Sequence, residues 1–363
     1  MKGLYVHIPF CESICHYCDF VKRVPKNEQM IDDYLQRLTQ EIASYSTHFS
    51  NIDTIYIGGG TPSMLSAKQL SVLFHALKDI HPVEYTIEVN PESYTEEKGE
   101  LFKYYGINRV SLGVQTFDQD LLSYLNRKHT IDHVLRVIHH LKDLGIPRLS
   151  IDLIYAIPGQ TLNMLDHDLA MIEKLGITHV SCYSLILEEK TYFYHQYLKG
   201  QFHQMDEDME ALMYERVMKT LKQQGFEHYE ISNFAKEGHQ SMHNNLYWTL
   251  QEYIGVGLGA HGFVDGYRTY NHRHLPEYMH DWMERKEQQT EEMLLTDDLL
   301  FGLRRIEGID IKKIEERYHI SIFDKYPSLI EKMSLGLIEM KEGRLRLTRE
   351  GLFLGNQVFM VFV

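Results

Sequence analysis

Three cysteines stand close together near the start of the chain: Cys11, Cys15 and Cys18. They follow the apolar run Leu4–Ile8 and Pro9, so they occupy the loop after a predicted strand. Clustered thiolates are the usual ligands of iron–sulfur clusters and are common ligands of zinc. Three of them are one fewer than a closed tetrahedral site needs. A metal ion or cluster held here would keep one coordination position open, and an open position permits chemistry.

A structural zinc site is the alternative, with His7 or His16 as the fourth ligand. Such sites usually combine two groups of ligands, and the sequence shows no second group. The remaining cysteine, Cys182, lies alone in an apolar run, which is typical of a buried core residue. Four cysteines in 363 residues do not make a disulfide framework, so they indicate a reducing compartment.

The charge balance is acidic, with 51 Asp and Glu against 37 Lys and Arg and a net charge of -14. This balance disfavours a nucleic-acid backbone as the main partner, because phosphate binding needs a basic surface. Hydrophobic residues make up 44% of the chain, which is ample for a folded core. The first residues lack the pattern of a signal peptide, and no apolar run approaches the ~18 residues of a membrane span. We therefore expect a soluble cytoplasmic protein and leave attachment to a membrane surface open.

Six short β-prone runs alternate with longer amphipathic segments over the first 190 residues. The predicted strands are 3–8, 53–58, 84–89, 108–114, 148–154 and 179–186, and the predicted helices are 28–48, 66–78, 95–105, 118–126, 130–144 and 161–175. Strands separated by helices form a parallel sheet. Nearly every strand ends in polar or glycine-rich residues, and such ends meet at one face in a barrel. The sequence therefore predicts an α/β fold, a partial (β/α)6 barrel whose open side is covered by residues further along the chain.

The alternation ends near residue 190. Residues 205–224 predict one amphipathic helix, 229–264 show weak periodicity, and 274–286 predict a further helical stretch. Residues 293–363 predict helices and a hairpin around Glu342–Gly343, which together resemble a winged helix with a structural or docking role. We divide the chain into a barrel with the cofactor site at 1–204, a barrel-closing linker region at 205–290, and a C-terminal α+β accessory domain at 291–363.

The spacing C-x3-C-x2-C, with Tyr17 before the third cysteine, resembles the radical S-adenosylmethionine (SAM) superfamily. The segment GGGTPS at 58–63 resembles the family loop whose backbone meets the amino group of SAM, and glycine permits such a close approach. The resemblance implies that Cys11, Cys15 and Cys18 bind three irons of a [4Fe–4S] cluster and that SAM chelates the fourth iron.

Over essentially the whole chain, the sequence is similar to the branch of this superfamily that contains the coproporphyrinogen III dehydrogenases (HemN) and the haem chaperones (HemW). The resemblance implies contacts with SAM at nine positions: Tyr5, Tyr17, Gly59, Gly60, Thr61, Glu88, Gln115, Arg127 and Asp152. Glu88 or Asp152 would hold ribose hydroxyls or the amino group, and Arg127 would pair with a carboxylate of SAM or of a substrate. Without the resemblance, a strand-end cap or a salt bridge would be the better explanation of Glu88 and Asp152.

Two departures separate the relatives within this branch. The dehydrogenases carry a further cysteine two residues after the third ligand, where this chain has Phe20. They also carry a substantial N-terminal extension, whereas here Cys11 is preceded by ten residues. Both features resemble the haem chaperones.

The segment HNNLYW at 243–248 is similar to the H-N-x-x-Y-W motif that is associated with haem binding in that family. The resemblance implies haem at His243 and Tyr247, which share a face if the segment is helical. Trp248 and Tyr253 would stack on the porphyrin, and His261 is a second candidate ligand. The alternative is a packed segment that closes the barrel, with its histidines satisfied by hydrogen bonds.

The resemblance as a whole implies a haem chaperone that carries haem as cargo to apo-haemoproteins, including respiratory proteins associated with membranes. The alternative is an oxygen-independent coproporphyrinogen III oxidase, in which the reduced cluster cleaves SAM and the resulting radical removes hydrogen from propionates that then lose CO2. A radical enzyme with an unrelated substrate is a third interpretation. Whether the protein is an enzyme, and whether it forms a homodimer, stays open at this point.

Overall fold

The protein, as described by a computed structural model of all 363 residues, is organised around six parallel strands. They are β1 (Lys2–Ile8), β2 (Thr54–Gly59), β3 (Glu84–Val89), β4 (Arg109–Gln115), β5 (Arg148–Tyr155) and β6 (His179–Ser184). They pair in chain order, each with the next, as consecutive βα units require. The six predicted strands and the α/β class are confirmed.

Six helices connect these strands: α1 (Glu28–Ser44), α2 (Ala67–Ala76), α3 (Glu96–Tyr104), α4 (Gln119–Tyr124), α5 (Ile131–Asp143) and α6 (Leu162–Lys174). Thr130 and Thr161 immediately precede the last two helices. Each threonine side chain accepts a hydrogen bond from the backbone amide of the third residue of its helix. α5 shows why these segments pack on the sheet: its buried positions are Val134, Val137, Ile138 and Leu141, at spacings of three and four. Each such side chain contributes roughly 1.5–3 kcal/mol when it is fully buried.

The sheet continues beyond the parallel strands at both edges and reaches twelve strands. At one edge β6 pairs with β8 (Asn233–Ala235), which pairs with β7 (Glu227–Glu230). At the other edge β1 pairs in parallel with β9 (Glu252–Val256). β9 is followed in the sheet by three antiparallel strands: β10 (His261–Val264), β11 (Tyr267–Asn271) and β12 (Met283–Gln288). Residues after 205 therefore extend the barrel sheet at both edges, and the prediction that they close its open side stays a prediction.

The helical prediction for 274–286 is wrong in its second half. Helix α10 (Leu275–His280) ends at His280. The next element is β12, which pairs with β11. The charged residues of β12 are mostly exposed at the outer edge of the sheet. Charged residues on an edge strand discourage pairing with other chains, and they also remove the alternation from which a strand is predicted.

Three helices lie between β6 and β9: α7 (Tyr192–Leu198), α8 (Glu207–Gln223) and α9 (Met242–Trp248). α8 packs on the outside of the sheet, with Met213, Val217 and Leu221 buried. α9 holds the whole HNNLYW segment and lies against the N-terminal ends of β1 and β2. It therefore covers the end of the barrel that is opposite the strand ends that carry the cysteines.

The C-terminal region has its own core of 15 buried residues between 295 and 362, whereas the barrel core has 58. Its helices are α11 (Glu291–Gly302), α12 (Ile311–Tyr318), α13 (Ile322–Lys325), α14 (Ser328–Ser334), α15 (Arg349–Phe353) and α16 (Gly355–Phe359). Its small sheet contains β13 (Ile309–Asp310), β14 (Ile338–Lys341) and β15 (Arg344–Leu347). Glu342 and Gly343 both have positive φ and join β14 to β15, as a two-residue hairpin turn requires. The winged-helix description and the three domain boundaries stay predictions.

No helix in the chain is long and apolar enough to cross a membrane.

Candidate functional site

The three cysteines line one cavity of about 440 Å³, which opens at the C-terminal ends of the parallel strands. Eight of the nine predicted SAM positions line the same cavity: Tyr17, Gly59, Gly60, Thr61, Glu88, Gln115, Arg127 and Asp152. The ninth, Tyr5, is close to the cavity but does not line it, because its hydroxyl turns to His7. His243 and Tyr247 do not line the cavity, although Ser241 and Asn244 beside them do.

The loop that carries the thiols, residues 9–20, is held at its base by backbone hydrogen bonds. The amide of Cys11 donates to the carbonyl of Arg23, and the amide of Arg23 donates to the carbonyl of Pro9. The Cys11 thiol is buried and accepts a hydrogen bond from Thr61 Oγ1 at 3.5 Å. Burial raises the pKa of the Cys11 thiol to about 11, and burial also raises the pKa of the Cys18 thiol. A bound cation is therefore needed to hold these sulfurs as thiolates.

The thiol set fits an iron–sulfur cluster better than a single zinc ion. All four cysteines are free thiols, and no group of three or more His, Cys, Asp or Glu side chains is close enough to hold one metal ion. His7 is not available as a fourth ligand, because Nε2 donates to the carbonyl of Val21 at 2.7 Å and Nδ1 accepts from the Tyr5 hydroxyl at 2.9 Å. A cluster is wider than an ion, so it can join thiols that an ion cannot.

Glycine is required where the loop after β2 crosses the cysteine loop. A Cβ atom on Gly60 would lie 2.7 Å from the carbonyl oxygen of Phe10 and 3.0 Å from the Cys11 sulfur. The amide of Gly60 donates to the carbonyl of Ile8, and the amide of Thr61 donates to that of Phe10, both at 2.8 Å. These bonds extend the pairing of β1 with β2 and fix the glycine loop beside the thiols. Glycine at position 60 therefore allows the two loops to pack closely, and Gly59 and Gly60 both line the cavity.

Two carboxyl groups line the cavity, Glu88 from β3 and Asp152 from β5, on either side of β4. Glu88 accepts a hydrogen bond from the backbone amide of Gly59 at 3.0 Å and one from the Tyr56 hydroxyl at 2.7 Å. Burial raises the pKa of the Glu88 carboxyl to about 7. Asp152 accepts from the Ser111 hydroxyl at 3.1 Å, and burial raises its pKa as well. Both groups can accept hydrogen bonds from a ligand, and when ionised both attract a cation.

Arg127 connects the cysteine loop to the strand ends. Its NH1 atom donates to the Cys15 sulfur at 3.7 Å, and its NH2 atom donates to the carbonyl of Gly113 at 2.6 Å and to Asn90 Oδ1 at 2.9 Å. Its Nε atom is buried and has no partner in the chain. A buried donor without a partner costs free energy, and the nearest carboxylate in the chain is that of Glu92, whose Oε2 lies 3.9 Å from NH2. A carboxylate is the acceptor that a guanidinium binds best.

Gln115 shows backbone strain at the same rim. Its φ is 68°, and the register between β4 and β5 shifts by one residue beside it. A non-glycine residue in this region of backbone space costs energy and is found most often at functional sites. The bulge turns the Gln115 side chain toward the cavity, where it is one of the lining groups.

The HNNLYW segment adopts the packed arrangement. His243 is 1% exposed, its Nδ1 is 2.8 Å from Thr54 Oγ1, and its Nε2 is 2.9 Å from the Tyr247 hydroxyl. Burial lowers the pKa of the His243 imidazole to about 3, so the ring is neutral. Glu84 accepts hydrogen bonds from the amides of Met242 and His243 and so anchors the start of α9. Haem ligation at His243 and Tyr247 stays a prediction, and it requires this pair of side chains to separate.

Two buried groups that support the site were not predicted. Tyr56 donates to Glu88, and its ring lies 5.3 Å from the ring of His243. Asp168 on α6 accepts hydrogen bonds from the Thr116 hydroxyl at 2.8 Å and from the Phe117 amide at 2.7 Å, which fixes the loop after β4. The only signal in the sequence for Asp168 is an acidic residue on the apolar face of a predicted helix.

Comparisons with known proteins agree with this site. Residues 5–172 match the family model of the radical SAM superfamily, and residues 288–354 match that of the HemN C-terminal domain. The chain is 39% identical to the haem chaperone HemW of Bacillus subtilis, with 100% of this chain and 99% of that protein covered. It is 38% identical to HemW of Lactococcus lactis, with coverage of 100% and 97%.

Among solved structures, the Escherichia coli coproporphyrinogen III oxidase HemN, a radical SAM enzyme, matches with a TM-score of 0.87 and 22% identity. The match covers 99% of this chain and 89% of that one, so the two proteins share a fold. The radical SAM match implies a [4Fe–4S] cluster and SAM as cofactors, and the three thiols and the unpartnered Arg127 donor fit them. The chain therefore belongs to the HemW family within the radical SAM superfamily.

Proposed function

We propose that this protein is a haem chaperone, which binds haem and delivers it to apo-haemoproteins. The observation that carries the proposal is the 39% identity to the Bacillus subtilis haem chaperone over the whole of both chains. Phe20 supports it: at 68% exposure it lies at the cavity mouth, and its side chain has no atom that could bind a metal. The recipients that we propose are haemoproteins of respiration, some of them at membranes.

In this proposal Cys11, Cys15 and Cys18 hold a [4Fe–4S] cluster, and the residues around the cavity hold SAM. When bound, the cluster supplies an iron with an open coordination position and a source of single electrons. Arg127 offers its free Nε–H to a carboxylate, while its NH1 atom remains on Cys15. Glu88 and Asp152 accept hydrogen bonds from hydroxyl or amino groups. The glycine loop leaves room for SAM to approach the backbone of the protein.

The second candidate is an oxygen-independent coproporphyrinogen III oxidase. It is favoured by the cavity, because eight predicted SAM positions and three thiols surround one space, which is what an enzyme of this kind needs. The two functions differ in what happens to a porphyrinogen. An oxidase converts many molecules of coproporphyrinogen III per protein, whereas a chaperone releases its cargo unchanged.

The test uses the full chain, reconstituted anaerobically with iron and sulfide and then reduced in the presence of SAM. Incubation with coproporphyrinogen III and an added one-electron acceptor, which takes the electron released when the substrate radical loses CO2, should give no protoporphyrinogen beyond one turnover, and repeated turnover would establish the oxidase. In parallel, the haem-loaded protein is mixed with increasing amounts of an apo-haemoprotein. Transfer at a rate that rises with acceptor concentration supports delivery through a complex. A rate that is independent of the acceptor would mean that haem merely dissociates, and failure to bind haem stoichiometrically would refute the proposal.

A further inference from the structure

An exposed aromatic surface lies on the outer side of the cysteine loop. Tyr124 at the end of α4 and Tyr192 of α7 are both exposed, and both contact His16 of this loop. Tyr124 stacks on Phe193 at 5.0 Å between ring centroids, so α4 and α7 are in contact here. Exposed apolar side chains are common one at a time, but aromatic rings from two helices that meet at a histidine of a third segment form a surface on which a flat ligand can bind.

His16 stands in the middle of this surface, which we call the outer patch. Its ring stacks on Tyr192 with 4.1 Å between centroids, and its backbone is fixed on both sides. The amide of His16 donates to the carbonyl of Leu125, and the carbonyl of His16 accepts from the amide of Phe193. Although it lies between two of the cysteines, His16 does not line the SAM cavity, whereas Tyr17 does.

The hydrogen bond of the His16 ring leaves one nitrogen ready for a metal. Nδ1 is 2.8 Å from the backbone carbonyl of Tyr124, and because a carbonyl only accepts, Nδ1 must carry the hydrogen. In the neutral ring the lone pair is then on Nε2, and Nε2 has no partner in the chain. A histidine whose Nδ1–H is held by a backbone carbonyl is the usual arrangement of a metal ligand, because the bond fixes both tautomer and orientation.

Other histidines near the predicted sites lack this arrangement. His243 and His7 use both ring nitrogens within the protein. His261 is exposed and packs edge-on against Tyr270, and no hydrogen bond fixes its tautomer. Burial lowers the pKa of the His261 imidazole, and the nearby positive charges of Arg273, Arg268 and Arg285 lower it further. Of these candidates, His16 alone combines a fixed ring, a free nitrogen and apolar surroundings.

We propose that haem docks on the outer patch with Nε2 of His16 as an axial ligand of its iron. The inference rests on the proposed function, since it takes haem as the cargo. Haem is flat and mostly apolar, so its ring covers the exposed side chains and removes them from water. Its propionates need cations, and Lys199 is exposed at the end of α7, the helix that carries Tyr192. Haem on this surface leaves the SAM cavity open, because neither His16 nor Tyr192 lines it.

The test is a haem titration of the reconstituted full chain and of four variants, followed by absorption and resonance Raman spectra. His16→Gln keeps a donor for the Tyr124 carbonyl but cannot ligate iron as imidazole does. His167→Gln, at an exposed site on α6, is the matched control, and His243→Gln and His261→Gln are the rival ligands. Iron and sulfide contents report whether the cluster has been kept.

We expect His16→Gln to weaken haem binding by at least about tenfold and to remove the iron–histidine vibration, with cluster content unchanged. If that variant loses its cluster, His16→Ala with added imidazole replaces it, and recovery of the low-spin spectrum by imidazole supports the ligand. Wild-type binding and spectrum in His16→Gln, with loss in His243→Gln or His261→Gln, would overturn the inference and leave the proposed function standing. A wild-type protein that binds no haem would overturn both.

Discussion

Glu88 is a buried carboxyl group whose charge decides what it can bind. Its pKa is raised to about 7 by burial, so it changes from neutral to ionised across the physiological range. The ionised form attracts the amino and sulfonium groups of SAM, and the neutral form does not. We expect SAM affinity of the reconstituted protein to rise roughly tenfold between pH 6 and pH 8, which is the change in the ionised fraction.

Calorimetric titration with SAM at several pH values measures this effect. Glu88→Gln is the control, because it keeps an acceptor for the Gly59 amide but has no proton to lose in this range. The variant should bind more weakly at pH 8 and show a flat profile once the titration of free SAM is subtracted. A wild-type profile that is as flat as that of the variant would show that Glu88 does not contact a cation.

The cysteine assignments make a separate prediction. Cys15→Ala removes one of the three thiols at the cavity and should abolish the brown iron–sulfur chromophore after reconstitution. Cys182→Ala is the matched control, because Cys182 is a free thiol buried in β6 and does not line the cavity. The measurement is iron and sulfide analysis together with the visible absorbance spectrum of the cluster. Wild-type iron and sulfide in Cys15→Ala would refute the ligand assignment.

Local motifs could predict most residues that line the cavity, since eight of the nine predicted SAM positions lie there, while their contact with SAM stays a prediction. Tyr56 and Asp168 could not be predicted, because their roles depend on which residues the folded sheet brings opposite them. His243 shows the same limit of prediction from sequence. Its spacing to Tyr247 predicts a shared helix face, but the hydrogen bond between the two side chains becomes evident only from the fold.

At the scale of elements, α9 is a short helix that depends on the barrel for its stability. Its start is bound by Glu84 and its His243 by Thr54, both at the N-terminal ends of strands. Burial lowers the pKa of His243 to about 3, from an ordinary value of 6.5 in the unfolded chain. A group with a lowered pKa in the folded state stabilises the fold above pH 6.5, and this contribution is lost as the pH falls toward 3.

We therefore expect the free energy of unfolding to decrease between pH 7 and pH 5, with His243 responsible for about 2 kcal/mol of the decrease. His243→Gln should be less stable than the wild type at pH 7 but should lose less stability on acidification. Urea unfolding at both pH values gives the comparison, and His167→Gln serves as an exposed control. An equal loss in wild type and His243→Gln would show that the ring is not a buried neutral group.

The elements of the first 190 residues could be predicted because apolar strands and amphipathic helices alternate there. β9 could not, because EYIGV is short and its pairing with β1 spans about 250 residues of sequence. Gly255 in this strand packs against the backbone of His261, and Gly257 just after the strand packs against that of His7. Both glycines therefore permit close packing. Glycines of this kind weaken the strand pattern that a sequence prediction needs.

At the scale of the whole molecule, a chain of contacts joins the SAM cavity to the opposite end of the barrel. Glu88 in the cavity accepts from the Tyr56 hydroxyl, the Tyr56 ring lies 5.3 Å from that of His243, and His243 is bonded to Tyr247. α9 in turn packs on α11 of the C-terminal region, where Arg304 lies 4.8 Å over the ring of Trp248. A ligand that fixes Glu88 should therefore also stabilise α9, since coupling between sites is reciprocal.

We expect SAM binding to slow hydrogen exchange of the backbone amides in α9, with a smaller change in α5, which lies outside the chain of contacts. Tyr56→Phe removes the hydrogen bond to Glu88 but keeps the ring, so the variant should still bind SAM. In that variant the protection of α9 by SAM should largely disappear, while protection at the cysteine loop remains. Hydrogen exchange measured by mass spectrometry at saturating SAM gives the protection of α9 and that of the cysteine loop. Equal protection of α9 in wild type and Tyr56→Phe would show that the two ends of the barrel respond to SAM independently of this hydrogen bond.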